Sequence, residues 1–400
     1  MNCLLMRLGN AASFVLSLAC FILATPLLPR EPQTAPSRPT AATNSASDVG
    51  DEECSVCHAR IEESYFRTAH HLTSRIAAKD SILGSFSAGK NLLKTSDLDL
   101  NFRMEAKANG FYMTSASEFS DPASKRSERI DLVLGSGRIG QTYLYWKGDR
   151  LFELPVSYWT ALGTWISSPG YFDDVGNFDR PVTPRCLECH VGYAENDPGL
   201  DPPNHYNPAK IVMGISCERC HGPGRQHVDA MKTKKPAETI INPAKLTRDE
   251  QVEVCAQCHN GLRKPVAPAF SYLPGESLDN FFEPALPDSN PTAEVHGNQV
   301  GLLQRSRCFQ ASQTMSCATC HNVHQTQRNA SSYSEHCLTC HKTKTCGEFG
   351  KLGEKIAGNC VDCHMPVLSS EKIISVSDGM EVNAKIRTHW IKVYPEKRMP

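Results

Sequence analysis

Seven copies of Cys-x-x-Cys-His run through the chain: Cys54, Cys57 and His58; Cys186, Cys189 and His190; Cys217, Cys220 and His221; Cys255, Cys258 and His259; Cys317, Cys320 and His321; Cys337, Cys340 and His341; and Cys360, Cys363 and His364. Two thiols three residues apart with an imidazole directly after the second suit one chemistry above others. The thiols bond to the vinyl groups of a haem and the imidazole ligates its iron. Seven covalent haem c groups are therefore expected. Paired thiols also build structural zinc sites. His, however, is 15 of 400 residues, so a chance His after all seven pairs has a probability of roughly 10⁻¹⁰, and a zinc framework has no use for that position. An odd number of pairs suits Cys₄ zinc ribbons badly, and no pair sits in the strand and helix alternation of a thioredoxin-like redox motif.

A low-spin electron carrier needs a second axial ligand on each iron. Eight His lie outside the motifs: His70, His71, His205, His227, His296, His324, His336 and His389. With the adjacent His70 and His71 counted as one position, seven candidates answer seven irons. Complete bis-His ligation is the expectation, with one or two of the eight as bystanders. His227 follows His221 by six residues and His324 follows His321 by three, too close to reach round their own haems, so each is expected to ligate a neighbouring one. Met213 and Met365 are alternative sulfur ligands in principle, but core packing is the better expectation for both. The sequence identifies no catalytic residue.

The segments that must position these residues differ in character. Acidic residues number 43 against 42 basic ones, a formal net charge of -1, which gives no argument for nucleic acid or for an anionic membrane surface. The hydrophobic fraction is 40%, and seven macrocycles would supply apolar volume that the side chains do not. Residues 1–28 read as a signal peptide or N-terminal anchor, with Arg7 as the basic residue and an apolar stretch over 11–28 broken by Pro26. Cys20 lacks the Leu that usually stands three residues before a lipidated Cys. Residues 29–52, rich in Pro, Thr, Ser and Ala, read as a disordered linker. A periplasmic or extracytoplasmic location follows, with a membrane tether if the first segment is retained.

Residues 53–84 carry the first haem motif, 85–175 read as a haem-free β insertion, and 176–400 carry the other six motifs. Between His71 and Cys186 there is no Cys and no His. Apolar and polar residues alternate over 98–106, Asn109 and Gly110 supply a hairpin turn, and the alternation resumes at 111–113, 129–134, 141–146 and 151–156, with a tight connection at 147–149. About five strands in a small antiparallel sheet are expected, covering a haem or docking a partner with Trp146, Trp159 and Trp165. Beyond residue 170 short helices precede several motifs, and Thr247 with Glu250 forms a capping box for one over 247–254. The expected fold class is α+β, short helices and loops wrapped on haems plus the β insertion. Four Cys stand outside the motifs: Cys3 and Cys20 in the first segment, Cys308 and Cys346 in the mature protein. An oxidising compartment makes a disulfide between the last two the expectation, with inert thiols as the alternative.

The run from Cys54 to Tyr65, followed by Thr68 and His70, resembles the opening of the multihaem c-type cytochromes with doubled Cys-x-x-Cys-His motifs, related to the tetrahaem cytochrome c of hydroxylamine oxidation. That resemblance implies His70 rather than His71 as the distal ligand, because an aromatic and then a His follow the first motif at this spacing. Leu154-Pro-Val-Ser-Tyr-Trp159, Ser168-Pro-Gly-Tyr171, Cys220-His-Gly-Pro-Gly224, Ser306-Arg-Cys-Phe-Gln-Ala-Ser312 and Cys363-His-Met-Pro366 resemble a larger set of such cytochromes, often found with tetratricopeptide partners and without an agreed substrate. The likeness spans roughly Glu53 to Trp390. Enzymes of the broader class often replace a motif His or carry a catalytic Tyr or Lys, whereas all seven motifs here are complete. The expectation is an electron-transfer protein whose partners are redox proteins, a quinol-side donor or other cytochromes. The alternative is a multihaem oxidoreductase acting on a small nitrogen or sulfur compound at one open haem.

Overall fold

A computed structural model describes residues 48–116, 125–172, 174–234, 239–284, 297–377 and 379–395. The expected export segment, most of the linker and His296 lie outside the described residues. The fold is α+β. Its strands begin with β1 (Ser74–Ile76), followed by β2 (Leu92–Lys94), β3 (Asn101–Lys107), β4 (Gly110–Ala116) and β5 (Arg126–Ile130), of which β2 to β5 form a four-stranded antiparallel sheet. Then come β6 (Leu132–Leu134), β7 (Gly140–Lys147), β8 (Arg150–Glu153), β9 (Val156–Trp159), β10 (Thr164–Ser167) and β11 (Arg180–Pro181). Together with β1 these six make a seven-stranded sheet, in the order β1-β6-β7-β8-β11 with β9 and β10 branching from β7.

Local chemistry explains where the expected strands shift. Leu98 is 90% exposed in the connection between β2 and β3, so the alternating run begins later than its pattern suggests. Lys107 pairs with Gly110, so the hairpin turns on Ala108 and Asn109, one residue earlier than expected, with Gly110 at φ 141°. The run 129–134 breaks at Asp131, whose buried carboxylate accepts from the Trp146 amide at 2.8 Å and pairs with Arg129; β5 and β6 thereby enter different sheets. The run 151–156 is divided by Pro155, which has no N–H to give a ladder. The seven-stranded sheet also takes β1 and β11 from outside residues 85–175.

Between the two sheets lies a peptide core of Phe102, Met104, Met113, Tyr143, Tyr145, Val156, Trp165 and Phe178. Met104 and Met113 are cross-strand partners and both are wholly buried. Two further hairpins lie in the segment expected to hold only helices and loops. They are β12 (Val191–Asn196) with β13 (Tyr206–Met213), and β14 (Val367–Ser377) with β15 (Met380–Arg387). The last one docks on β10, where the Val376 amide donates to Ser167 Oγ at 2.7 Å and Ala384 packs with Trp159 and Ile166. Met213 packs against the cluster around Leu132 and Leu187.

The helices are short. Asp51–Tyr65 has 15 residues and starts inside the stretch expected to be linker; Arg248–His259 has 12 and begins with the expected capping box, Thr247 and Glu250 satisfying each other's donors. Although the first motif stands far from the rest in sequence, its helix is fastened to the third. Glu218 accepts from the amides of Val49 and Gly50, Asp51 accepts from the Cys217 amide, and Tyr65 donates to the Ile215 carbonyl at 2.6 Å. No described helix is long and apolar enough to cross a membrane.

Candidate functional site

One cavity of about 4060 Å³ receives every motif: all fourteen motif thiols and all seven motif imidazoles line it. Ordinary small-molecule pockets measure about 300–1,000 Å³. Shared among seven macrocycles, the space gives about 580 Å³ each, within that range. Among the described residues no group of three or more His, Cys, Asp or Glu gathers as a zinc site would require.

The motifs are folded to aim at this space. In the third, fifth and sixth copies the second Cys and the His both donate their amides to the carbonyl of the first Cys, at 3.0 to 3.2 Å. One helical turn thus brings side chains at i, i+3 and i+4 to the same face. His221 Nδ1 lies 2.9 Å from the Ile241 carbonyl and His364 Nδ1 lies 2.8 Å from the Lys392 carbonyl. A carbonyl only accepts, so in both rings Nδ1 is the donor and Nε2 is the nitrogen left to ligate a metal. His190 Nδ1 is held at 3.0 Å by Thr73 Oγ1, a residue that the sequence reading did not single out.

Four motif imidazoles face a non-motif imidazole. The ring centroids are 6.5 Å apart for His58 and His227, 6.0 Å for His221 and His324, 6.2 Å for His321 and His389, and 6.1 Å for His259 and His70. Two imidazoles sharing one metal ion through bonds of about 2 Å need their centroids about 6 Å apart. The first three pairs are near-parallel, at 18°, 14° and 23°, while His70 and His259 cross at 70°. Burial pushes His70 and His389 down to about 4 and lowers His259, His321 and His324 as well. These rings are therefore neutral at pH 7, the form that ligates. His227 has a buried Nδ1 without a hydrogen-bond partner.

The other sequence candidates divide. His336 lines the cavity, close enough to His321 to disfavour charge on it. His71 does not line it: its ring stacks on Phe66 at 4.0 Å, so of the adjacent pair it is His70 that faces a motif imidazole. His205 lies off the cavity wall with Nδ1 2.9 Å from Asp149, at the turn between β7 and β8. Met365 lines the cavity. Cys308 and Cys346 are free thiols, which corrects the expected disulfide: Cys308 lies by Cys320 and Cys337, and Cys346 by Cys363.

Contacts between motifs give their neighbourhood. Thiols of different copies stand close enough to shift one another's pKa: Cys54 and Cys217, Cys189 and Cys258, and Cys255 and Cys317. The first copy thus adjoins the third, the second adjoins the fourth, and the fourth adjoins the fifth. His324 carries the fifth to the third, and Cys220 lies near enough to Cys255 to raise its pKa, so the third, fourth and fifth close a loop. The sixth and seventh are stapled by Ser334, which donates to the Gly358 carbonyl and accepts from the Val361 amide. The Tyr333 ring in the same helix lies 5.2 Å from His321 and ties the sixth to the fifth.

The β region supplies a wall of the cavity: Leu134, Leu144, Glu153, Ser157, Trp159 and Ile166 all line it. Trp165 is core instead, and Trp146 is half-buried beside Tyr206. Near the second motif, buried Glu188 accepts from the Phe270 amide at 2.9 Å, and Arg185 stacks on Phe282. Neither residue carries a sequence signal beyond its place in the motif.

Residues 174–222, which include the second and third motifs, match the family described as cytochrome c554 and c-prime. The fold is similar to that of the outer cell wall cytochrome OcwA, with a TM-score of 0.56 and 19% identity over 88% of this chain and 81% of that one. No curated protein matches the chain.

Proposed function

We propose that the chain is an exported electron-transfer protein holding seven haem c groups by the fourteen motif thiols, with bis-His ligation at most or all irons. The observation that carries this reading is the four imidazole pairs, drawn from different motifs, whose rings stand 6.0 to 6.5 Å apart across one cavity. Bound haem c supplies a one-electron couple at each iron. The chain does the rest. Carbonyls orient the rings of His221 and His364, burial disfavours charge on His70, His259, His321, His324 and His389, and the β wall covers one side of the cavity. The loop of the third, fourth and fifth motifs forms the centre of the array, with the second at one end and the sixth and seventh at the other. Similarity to an outer cell wall cytochrome and the N-terminal sequence support a location outside the cytoplasm. Redox proteins are the partners such an array serves.

A second reading, an oxidoreductase for a small nitrogen or sulfur compound at an open haem, draws on His341 and His364. Neither faces an imidazole at that spacing among the described residues. His205, His296 and His336 are the sequence candidates outside the four pairs, with no assignment to particular irons. Haem content and spin state decide between the readings. Purified mature protein is expected to give seven haems by pyridine haemochrome and intact mass, with low-spin ferric signals by low-temperature EPR. Four haems or fewer would end the seven-haem reading, and a high-spin component would favour the oxidoreductase.

A further inference from the structure

Glu153 ends β8 and is one of five glutamates among the residues that line the cavity, the others being Glu53, Glu62, Glu218 and Glu348. Its one close counter-charge is Arg180 on β11, with Nη1 3.2 Å from Oε2. The guanidinium is itself engaged: it donates to the Pro169 carbonyl at 2.9 Å and lies over the Tyr171 ring at 4.8 Å. Tyr171 in turn donates to the backbone carbonyl of Glu153 at 2.9 Å. Two segments singled out in the sequence build this arrangement. Ser168, wholly buried, donates to the Leu154 carbonyl, and Gly170, at φ 76°, leaves room for the Arg180 Nη2, which a Cβ would meet at 3.2 Å.

The elements around Glu153 carry few other charges. On β7 the nearest titratable group is Tyr145, committed to Arg126 and to the Phe178 carbonyl; beside β11, Asp179 is paired with Arg126; from the loop comes Tyr171. Burial outweighs Arg180 and raises the Glu153 carboxyl to about 7. The side chain nonetheless keeps 20% exposure, and the residue belongs to the cavity lining. From Arg180 the wall continues through Pro181 and Val182 to Arg185, Cys186 and His190, the second motif.

We propose that Glu153 is a redox-linked proton site, binding one proton as an electron enters the cavity beside the second motif and releasing it as the electron leaves. This rests on the haem reading of the cavity. An electron delivered by a reduced donor protein adds one negative charge to a space of low dielectric constant, and the carboxylate answers by forming one O–H bond with a proton from water. One electron and one proton enter together and the local charge is unchanged. A charge change felt through such a medium is large compared with the same change in water.

The test uses the full haem-loaded protein and its Glu153→Gln variant, which keeps size and hydrogen bonding but cannot titrate. Redox-difference infrared spectra at pH 7, with dithionite as reductant, should show a protonated-carboxyl C=O band on reduction that shifts in D₂O. The band should be lost in Glu153→Gln and should return, displaced, in Glu153→Asp. The midpoint potential of one haem should fall with pH across neutrality in the parent and be flat in the Gln variant. A band that persists in Glu153→Gln, or that is missing from the parent, overturns the proposal. Haemochrome assay of each sample separates the failures: seven haems with no Glu153 band reject only the proton site, whereas absent haem rejects the reading of the cavity.

Discussion

The β wall and the motif-bearing segments solve the same packing problem with different material. In the wall, Met104, Met113, Tyr143, Val156 and Phe178 are wholly buried against one another, and burial of each such side chain contributes about 1.5–3 kcal/mol. In the motif-bearing half the helices run from four to 15 residues and turn their Cys and His toward a shared cavity. Helices that short are marginal without packing. That half keeps a smaller peptide core around Val252, Tyr272, Phe281 and Phe309, so the difference teaches that side chains specify the wall throughout and the motif-bearing half only between its motifs.

That contrast can be broken first by denying the chain its cofactor. Mature protein made without haem attachment is expected to lose cooperative structure over residues 186–260 and 317–364 while the two sheets stay protected, read by limited proteolysis with mass spectrometry. Equal loss in both halves would show that the wall has no independent stability. Next in size is Trp165→Ala in the haem-loaded protein. Removing this 1%-exposed ring should cost about 3–5 kcal/mol in denaturant unfolding while leaving the visible spectrum unchanged. A spectral change would mean that the wall sets haem geometry as well as covering it.

A smaller, local effect separates His70 from His71. His70→Ala should create one high-spin, carbon-monoxide-binding haem and remove one low-spin EPR signal, that of the crossed pair, which is distinct from the signals of the three near-parallel ones. His71→Ala should leave the spin states intact. The reverse pattern would reassign the ligand. Smallest is Thr247→Ala, which removes the capping box of the helix leading to His259 and should cost about 1 kcal/mol by thermal or chemical unfolding.

Legibility in the sequence followed the range of the interactions. The Cys-x-x-Cys-His copies are local, since one helical turn defines each, and so they could be read residue by residue. The capping box of Thr247 and Glu250 was legible for the same reason. That His227 and His324 should face other motifs was legible because six and three residues are too few to turn back, and their rings stand beside His58 and His221. Which motif each would face was not, because that depends on how the first helix is fastened to Glu218. His205 entered the ligand candidates by counting alone, and nothing in its neighbours announces its contact with Asp149. The expected disulfide failed, because Cys308 and Cys346 sit beside different motifs. In the wall, Asp131 and Pro155 divided runs that hydrophobic alternation joined, since alternation reports which face is buried and not which sheet a strand enters.

The loop closed by the third, fourth and fifth motifs has a consequence for failure. A linear relay of carriers stops when any single member is damaged, and its throughput is that of its slowest step. In a closed circuit, traffic from the second motif toward the sixth has a direct branch through the fourth and fifth and a detour through the third. On the proposed reading, disabling the third iron should therefore slow passage without stopping it. The second motif has the same redundancy at its own end, since it adjoins the fourth through Cys189 and Cys258 and the third through Arg219, which donates to the Glu188 carbonyl at 3.2 Å; injury to one carrier of the circuit would lower its throughput by degrees.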